Sequence, residues 1–512
     1  MTGTVYLVGA GPGDPGLLTS AGRDALARAD VVFHDRLAHP ALLALAPETA
    51  QRFFVGKESA RHYVRQEDTN ALMAEQALAG RTVVRLKGGD PLVFGRGAEE
   101  AEYLRERGIP FVFIPGVTSA IAALAYAGIP ITHRDASSSF AVITGHERDD
   151  RRESGSRAAG AGEQRRRWDR IAHAADTLVF LMGVENLANI RDELVRNGRA
   201  ESTPVALVQW GTWPRQRTVC GTLATIVDDV RAAGLTAPAV TVVGDVVRFR
   251  EKLRWFDSRP LFGKTVVVTR ARDQASELSS ALRSLGADVI EHPVFSVAAP
   301  ADDGAALIAA VGRLGDFNWI CFTSGNAVER FFQCLASVGR DARALAGVRC
   351  AVVGEATGTA LARFGVRPDF TASQTLASSL GRELPNPEDA RVLIPQAAEA
   401  GNSLAENLRE RGAAVETVEA YRQQRTQAET GPLLEAFRSG EVDALTFASS
   451  NTVRWFAEDI PASEIPAKTR LVAIGPITAA TCEELLRVPD AVAEKASVDA
   501  LVDCVVRTLA DS

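Results

Sequence analysis

At 512 residues the chain is long enough for about three to four domains of ~150 residues, each with its own core. Its 46% hydrophobic and 24% charged residues are ordinary for α/β proteins, and a net charge of −7 gives no basic field for nucleic acid. No apolar run approaches the ~20 residues of a membrane span, the start "MTGTVYLV" lacks the basic region of a signal peptide, and the six cysteines are scattered. These features predict a cytoplasmic protein with reduced thiols, no metal site, no membrane and no nucleic-acid partner.

The first predicted element is a strand over 5–8 that runs into "GAGPGDPG", with a helical pattern from Leu17. Gly9 and Gly11 give G-x-G, but the third glycine of a dinucleotide-binding turn falls on Asp14. An aspartate there sets negative charge where a pyrophosphate would sit, and Pro12 removes one backbone N–H. Asp35 lies near the distance of the ribose-binding acid, yet the rest of that unit is missing. The turn is read as something other than a dinucleotide site.

Strand-like runs then alternate with helical stretches: "TVVRL", "FVFIP", "AVITG", "TLVFLM", "PVALVQ", "AVTVVG", "TVVVTR", "WICFTS", "CAVVG", "RVLIP", "ALTFAS" and "LVAIG". This β-α-β alternation predicts α/β domains with largely parallel sheets. Residues 147–170, rich in Arg, Gly, Ser and Ala, read as a solvated, mobile insertion. A charged helical end at 248–257 is followed by a turn-forming stretch, so the boundary is set at 258–263, between domains 1–257 and 264–512.

In the first domain, "VVRLKGGDPLVFGRG" (83–97), "IPGVTSAIAALAYAGIPITHRD" (114–135) and "TLVFLMGVENL" (177–187) put glycine or proline at strand ends. Such loops present backbone N–H and C=O groups to a flat polar ligand, and Thr118 is a candidate helix N-cap. The second domain repeats itself. "CFTSGNAVERFF" (321–332) matches "TFASSNTVRWFA" (446–457), and "CAVVGEATGTAL" (350–361) matches "LVAIGPITAATC" (471–482). Two similar α/β lobes follow, with a cleft beyond their strand ends.

The motifs of the first domain, with "DRL", "VGK" and "PVALVQWGT", resemble those of the uroporphyrinogen-III C-methyltransferases, in that family's order over residues 4 to about 250. Leu92, Val93 and Ser119 are small departures from the family pattern. The resemblance implies a two-lobed tetrapyrrole-methylase-like fold, a homodimer, and S-adenosylmethionine (SAM) in the cleft. It implies methylation of uroporphyrinogen III at C2 and C7 to precorrin-2, for sirohaem and cobalamin. By position it puts SAM contacts on Pro12, Gly88, Gly89, Asp90, Val93, Thr118, Ser119, Met182, Gly211 and Ala239. It also makes Asp35 the base and Lys57 the proton donor. The residues alone leave open a helix cap or an Arg36 ion pair for Asp35, and a surface charge for Lys57. The substrate's eight carboxylates call for arginine; Arg36 and Arg96 are the chosen contacts, with Arg61 and Arg134 also near motif loops. His62 and His133 read as structural.

In the second domain, "TVVVTRARDQ", "FTSGNAVERFF", "VVGEATGTAL", "EAYRQQ" and "FASSNTVRWF" resemble uroporphyrinogen-III synthase over residues 263 to about 508. The resemblance implies a two-lobed synthase-like fold that cyclises hydroxymethylbilane with inversion of ring D and uses no cofactor. Tyr421 either assists departure of the hydroxyl or packs the hinge. Thr323, Ser324, Asn326, Thr357, Ser449, Ser450 and Thr478 offer groups to carboxylates, or cap helices. Lobe one is expected at about 264–298 and 422–512, lobe two at about 299–421. Two other readings stand beside this one: a methylase for a later corrin intermediate, RNA or protein, and a second domain that only binds or regulates.

Overall fold

The structure is a computed structural model that describes residues 2–56, 65–145, 167–270, 272–426 and 429–510. Lys57, Arg61, His62 and residues 147–166 of the predicted insertion lie outside the described residues; Arg167 and a short helix, Trp168–Ile171, lie within them. The chain divides into two compact units, 1–263 and 264–512. Among the described residues no helix is long and apolar enough to cross a membrane.

The first unit opens with a five-stranded parallel sheet in the order Gln51–Phe54, Val31–His34, Val83–Lys87, Val5–Gly9, Phe111–Ile114. Its central strands are buried on both faces, which is why they read as continuous apolar runs. Val5, Val31, Phe33 and Val83 face helices Gln66–Leu78 and Gly97–Glu106 through Met73, Ala77, Ala101 and Leu104. Val8, Val32, Val84 and Leu86 face Ala25 and Leu26 of helix Ser20–Leu26.

The second sheet of this unit runs Phe140–Thr144, Thr177–Leu181, Ala239–Val243, Pro204–Gln209, Arg217–Thr222. Here the expected parallel arrangement gives way. Only the first two strands are parallel, and Ala239–Val243 runs antiparallel to both neighbours. Pro204–Gln209 pairs antiparallel with Arg217–Thr222. A strand buried on both faces carries no mark of its direction in its sequence, and the link between those two strands, 210–216, is too short for a parallel crossover. Helix Ser119–Tyr126 packs Ala120, Ala123 and Leu124 onto this second sheet.

The second unit has two sheets with matching order. One runs Asp288–Glu291, Thr265–Val268, Ala444–Phe447, Arg470–Ala473, Ala491–Val492. The other runs Phe295–Ala298, Ala414–Arg425, Arg391–Ala397, Trp319–Phe322, Arg349–Val352, Phe370–Thr371. The last three strands of each sheet are the two copies of the repeat. The copies share their cores: the Phe322–Phe331 rings meet edge-on at 5.4 Å and 74°, and Phe447–Phe456 at 5.4 Å and 78°. Phe295–Ala298, expected with the first lobe, pairs antiparallel with 422–425 on the sheet of the second. The two chain crossings between lobes therefore form one hydrogen-bonded ribbon.

Candidate active sites

In the first unit, parallel neighbours Val83–Lys87, Val5–Gly9 and Phe111–Ile114 end on one edge and turn at Gly88-Gly89, Gly11-Pro12 and Pro115-Gly116. The turns interlock backbone to backbone. Gly89 N–H donates to the Gly11 carbonyl at 2.7 Å and Gly11 N–H to that of Gly89 at 3.2 Å. A Cβ on Gly9 would lie 2.5 Å from Gly116 Cα, and one on Gly116 2.3 Å from the Gly89 oxygen, so neither position admits a side chain. Asp90 braces the cradle: Oδ1 accepts from Leu92 N–H at 2.8 Å and Oδ2 from Gly116 N–H at 3.0 Å. Gly89 faces Thr118 and Ser119, and Thr118 caps helix Ser119–Tyr126 by accepting from Ala120 N–H at 3.3 Å.

The second sheet closes on the same loops. Asp14 N–H donates to Thr212 Oγ1 at 3.0 Å, and Trp213 Nε1 donates to the Pro12 carbonyl at 3.2 Å. Gly211 sits so close to helix Ser119–Tyr126 that an added Cβ would meet Ala123 Cβ at 2.3 Å. Met182 ends strand Thr177–Leu181 in a left-handed conformation, φ 57°, with its side chain exposed. Ala239 pairs with Gln209 beside it.

Asp35 follows strand Val31–His34 on the carboxyl edge of the first sheet. Its Oδ1 accepts from Leu37 N–H at 3.0 Å, and its Oδ2 lies 3.8 Å from Arg85 Nη2. The ion partner is thus Arg85 rather than the adjacent Arg36, which is exposed. Arg85 and Lys87 are 6% and 4% exposed, and between them Glu100 is fully buried. Glu100 Oε1 accepts from Lys87 Nζ at 2.8 Å, Gln66 Nε2 at 2.9 Å and Arg85 Nε at 3.3 Å. Burial, then the charge of Arg85, lowers the Lys87 pKa, while Glu100 opposes them. Burial also lowers His34, against the pull of Asp35. Arg96, at φ 60°, grips Glu99 with two guanidinium nitrogens, both side chains half exposed.

In the second unit, Tyr421 is buried on the long crossing strand and its hydroxyl lies 3.1 Å from Ser324 Oγ. Ser324 also caps helix Gly325–Ser337 by accepting from Ala327 N–H at 3.1 Å. Two residues on, Gln423 Oε1 accepts from Asn451 Nδ2 at 3.2 Å. Asn451 belongs to the matching turn of the other lobe, where Ser449 caps helix Ser450–Asp459. Alternate residues of one strand therefore hold the equivalent turn of each repeat copy. Thr357 and Thr478 are buried near the starts of helices Glu355–Ala362 and Pro476–Leu485.

Residues 4–227 match the family model of Tetrapyrrole (Corrin/Porphyrin) Methylases, and residues 276–503 that of Uroporphyrinogen-III synthase HemD. Over 508 residues the chain is 37% identical to the porphyrin biosynthesis protein HemD of Ruminiclostridium josui, spanning 98% of this chain and 97% of that protein. The chain belongs to both families. The uroporphyrinogen-III C-methyltransferase of Priestia megaterium is 47% identical over 247 residues, 48% of this chain and 99% of that protein. That of Bacillus subtilis (strain 168) is 46% identical over 343 residues, 67% of this chain and 68% of that protein. The chain is a bifunctional enzyme of tetrapyrrole biosynthesis, a methylase half joined to a synthase half, and a non-catalytic second half is not favoured.

In the methylase half, the structure gathers Pro12, Gly88, Gly89, Asp90, Thr118, Ser119 and Gly211 around one backbone cradle. Val93 is exposed on the loop that follows, and Met182 and Ala239 lie on the second sheet. Sequence reasoning missed Arg85, Lys87 and Glu100. Their signal was present: two cations at alternate positions of the apolar run "VVRLKGG" point to one buried face. In the synthase half, Ser324 and Tyr421 come together, while Thr323, Ser449 and Thr478 stand at the turns and helix starts of the two lobes. Gln423 and Asn451 were missed as a pair.

Proposed function

We propose that the synthase half converts hydroxymethylbilane to uroporphyrinogen III without a cofactor, and that the methylase half transfers methyl groups from SAM to C2 and C7 of that product, giving precorrin-2. The observation that carries the reading is the interlocked glycine cradle, with Asp35 on the same sheet edge. The loop fits SAM at Gly89, where a Cβ would meet nothing nearer than 3.8 Å, and Pro12, Gly88, Gly89, Asp90, Val93, Thr118, Ser119, Met182, Gly211 and Ala239 would hold it. When bound, SAM supplies an electrophilic methyl group.

The chain's own work is then positioning and proton removal. Asp35 takes the proton that must leave the macrocycle after a pyrrole carbon is alkylated. Lys57 is the proposed proton donor. Arg36 and Arg96 bind substrate carboxylates, Arg96 by exchanging its exposed Glu99 partner. Exposed Leu37, Leu92, Val93 and Phe94 on the surrounding loops give an apolar seat for a macrocycle. In the synthase half Tyr421 protonates the departing hydroxyl, leaving a cationic azafulvene. The turns bearing Thr323, Ser324, Ser449 and Thr478 hold carboxylates while the chain end folds onto ring D. A homodimer formed through the methylase half, and a cytoplasmic location, complete the proposal.

The test uses purified protein, fresh hydroxymethylbilane and methyl-labelled SAM, with products separated by isomer and mass. A dimethylated type III product is expected. Type I product alone, with methylation restored by added uroporphyrinogen III, would overturn the synthase assignment and keep the methylase one.

A further inference from the structure

The methylase half contains a buried charge cluster that the reaction, as proposed above, does not use. Arg85, Lys87 and Glu100 bring two cations and one anion into the core between strand Val83–Lys87 and helix Gly97–Glu106. Buried ions are costly unless balanced and hydrogen-bonded. Lys87 takes the shorter contact to Glu100, 2.8 Å against 3.3 Å for Arg85 Nε. Glu100 Oε2 has no hydrogen-bond partner among the described residues, so the two cations share Oε1. The second cation, Arg85, is fixed at two points: Nε on Glu100 and Nη1 on the Leu86 carbonyl at 3.0 Å. Its remaining arm, Nη2, faces Asp35 Oδ2 at 3.8 Å.

We propose that Arg85 is a positioning residue for Asp35, anchored by the Lys87–Glu100 pair, and that the cluster is neutral only while Asp35 is ionised. This rests on the reading of Asp35 as the base. The charge count gives the consequence. With Asp35 ionised, the four groups sum to zero. When Asp35 accepts the proton from the macrocycle carbon, the sum becomes +1 around a guanidinium that stays charged. The other described groups near Asp35 are His34, beside it in the chain, and exposed Arg36; Lys87 acts on it through space.

The experiment compares the full chain with Arg85→Met, Arg85→Gln and Asp35→Asn. It measures SAM affinity by calorimetry, and kcat and KM for methylation of uroporphyrinogen III across pH under anaerobic conditions. Arg85→Met leaves the neutral Lys87–Glu100 pair in the core, and Arg85→Gln keeps a neutral donor should the methionine not fold. Either is expected to keep wild-type SAM affinity and lower kcat at neutral pH. Either should leave KM for uroporphyrinogen III close to wild type while kcat falls, because a misplaced base slows the chemical step without weakening substrate binding. A wild-type kcat in the folded variant overturns the proposal, and so does a loss of SAM affinity or a rise in KM that matches the fall in kcat, since a merely structural arginine would disturb binding and chemistry together. Asp35→Asn separates the two failures. If it keeps turnover, the base assignment itself is wrong. If it loses turnover while the arginine variants keep wild-type kcat, only the role of Arg85 is wrong.

Discussion

Tyr126 donates its hydroxyl to Asp14 Oδ2 at 2.7 Å, tying the first glycine-rich loop to the helix that lies on the second sheet. Asp14 is the residue that defeats a dinucleotide reading of "GAGPGDPG". Its charge does structural work instead: the side chain closes the turn onto Gly16 N–H at 2.7 Å and receives the tyrosine from across the two sheets.

Tyr126→Phe removes a hydrogen bond to a charged acceptor, worth about 1.5–3 kcal/mol when well shielded and less at this half-buried site. We expect lower stability and weaker SAM binding, with ring closure by the synthase half unchanged. Burial, then the Asp14 bond, raises the tyrosine pKa. The raised folded value means this stabilisation is complete below the unfolded pKa of about 10 and is lost as pH climbs toward the folded value. Denaturation midpoints of wild type and variant should therefore converge in alkali; parallel curves would contradict the assignment.

Gly116→Ala tests the cradle. A Cβ there would stand 2.3 Å from the Gly89 backbone oxygen, which no rotamer can relieve. Separating the loops costs about 1–3 kcal/mol in the manner of overpacking. SAM affinity measured by calorimetry should fall at least tenfold, with synthase activity as the control on the same chain.

Glu100→Gln leaves Arg85 and Lys87 buried together with no anion between them. Breaking a buried pair in this way costs about 3–5 kcal/mol. Pairing it with Arg85→Met removes one of the two cations, so the double variant should be less destabilised than the sum of the singles. A double-mutant cycle from denaturant unfolding reads this directly; strict additivity would mean the three charges do not interact.

In the synthase half, Tyr421→Phe removes the hydroxyl proposed as proton donor while keeping the ring in the core, and Asn451→Ala removes the tie to Gln423 in the other lobe. Tyr421→Phe should lower kcat for ring closure by about 10² or more, the lower end for a general acid. Asn451→Ala should chiefly raise KM for hydroxymethylbilane, because it loosens the grip without touching the donor. Equal effects of the two variants on kcat would count against separate roles.

What the sequence made legible follows burial. Strands such as Val83–Lys87 and Ala444–Phe447 are covered on both faces and read as apolar runs. Arg217–Thr222 is a half-exposed edge strand, and Ala414–Arg425 alternates charged and apolar residues around Glu416 and Glu419; neither forms a run, and both were overlooked. Strand direction in the second sheet left no mark in the strands themselves, only in the short link 210–216. For the sites, short motifs pointed to Asp35, Gly89 and Tyr421, whose neighbours in the chain are distinctive. Their partners are distant: Arg85 reaches Asp35 from the next strand, Glu100 comes from a helix, and Asn451 meets Gln423 from another lobe. Periodicity finds faces of elements, not which faces meet.

The antiparallel pairing of Phe295–Ala298 with 422–425 has a mechanical meaning. Two separate strands between bodies would each bend on their own and let the bodies wobble in several directions. Laced side by side, they restrain one another, and the two sheets of the synthase half are joined along one hydrogen-bonded seam. Tyr421 and Gln423 sit on or next to that seam, and each reaches the first turn of a helix in a different lobe, so a displacement of the seam would reach both turns at once.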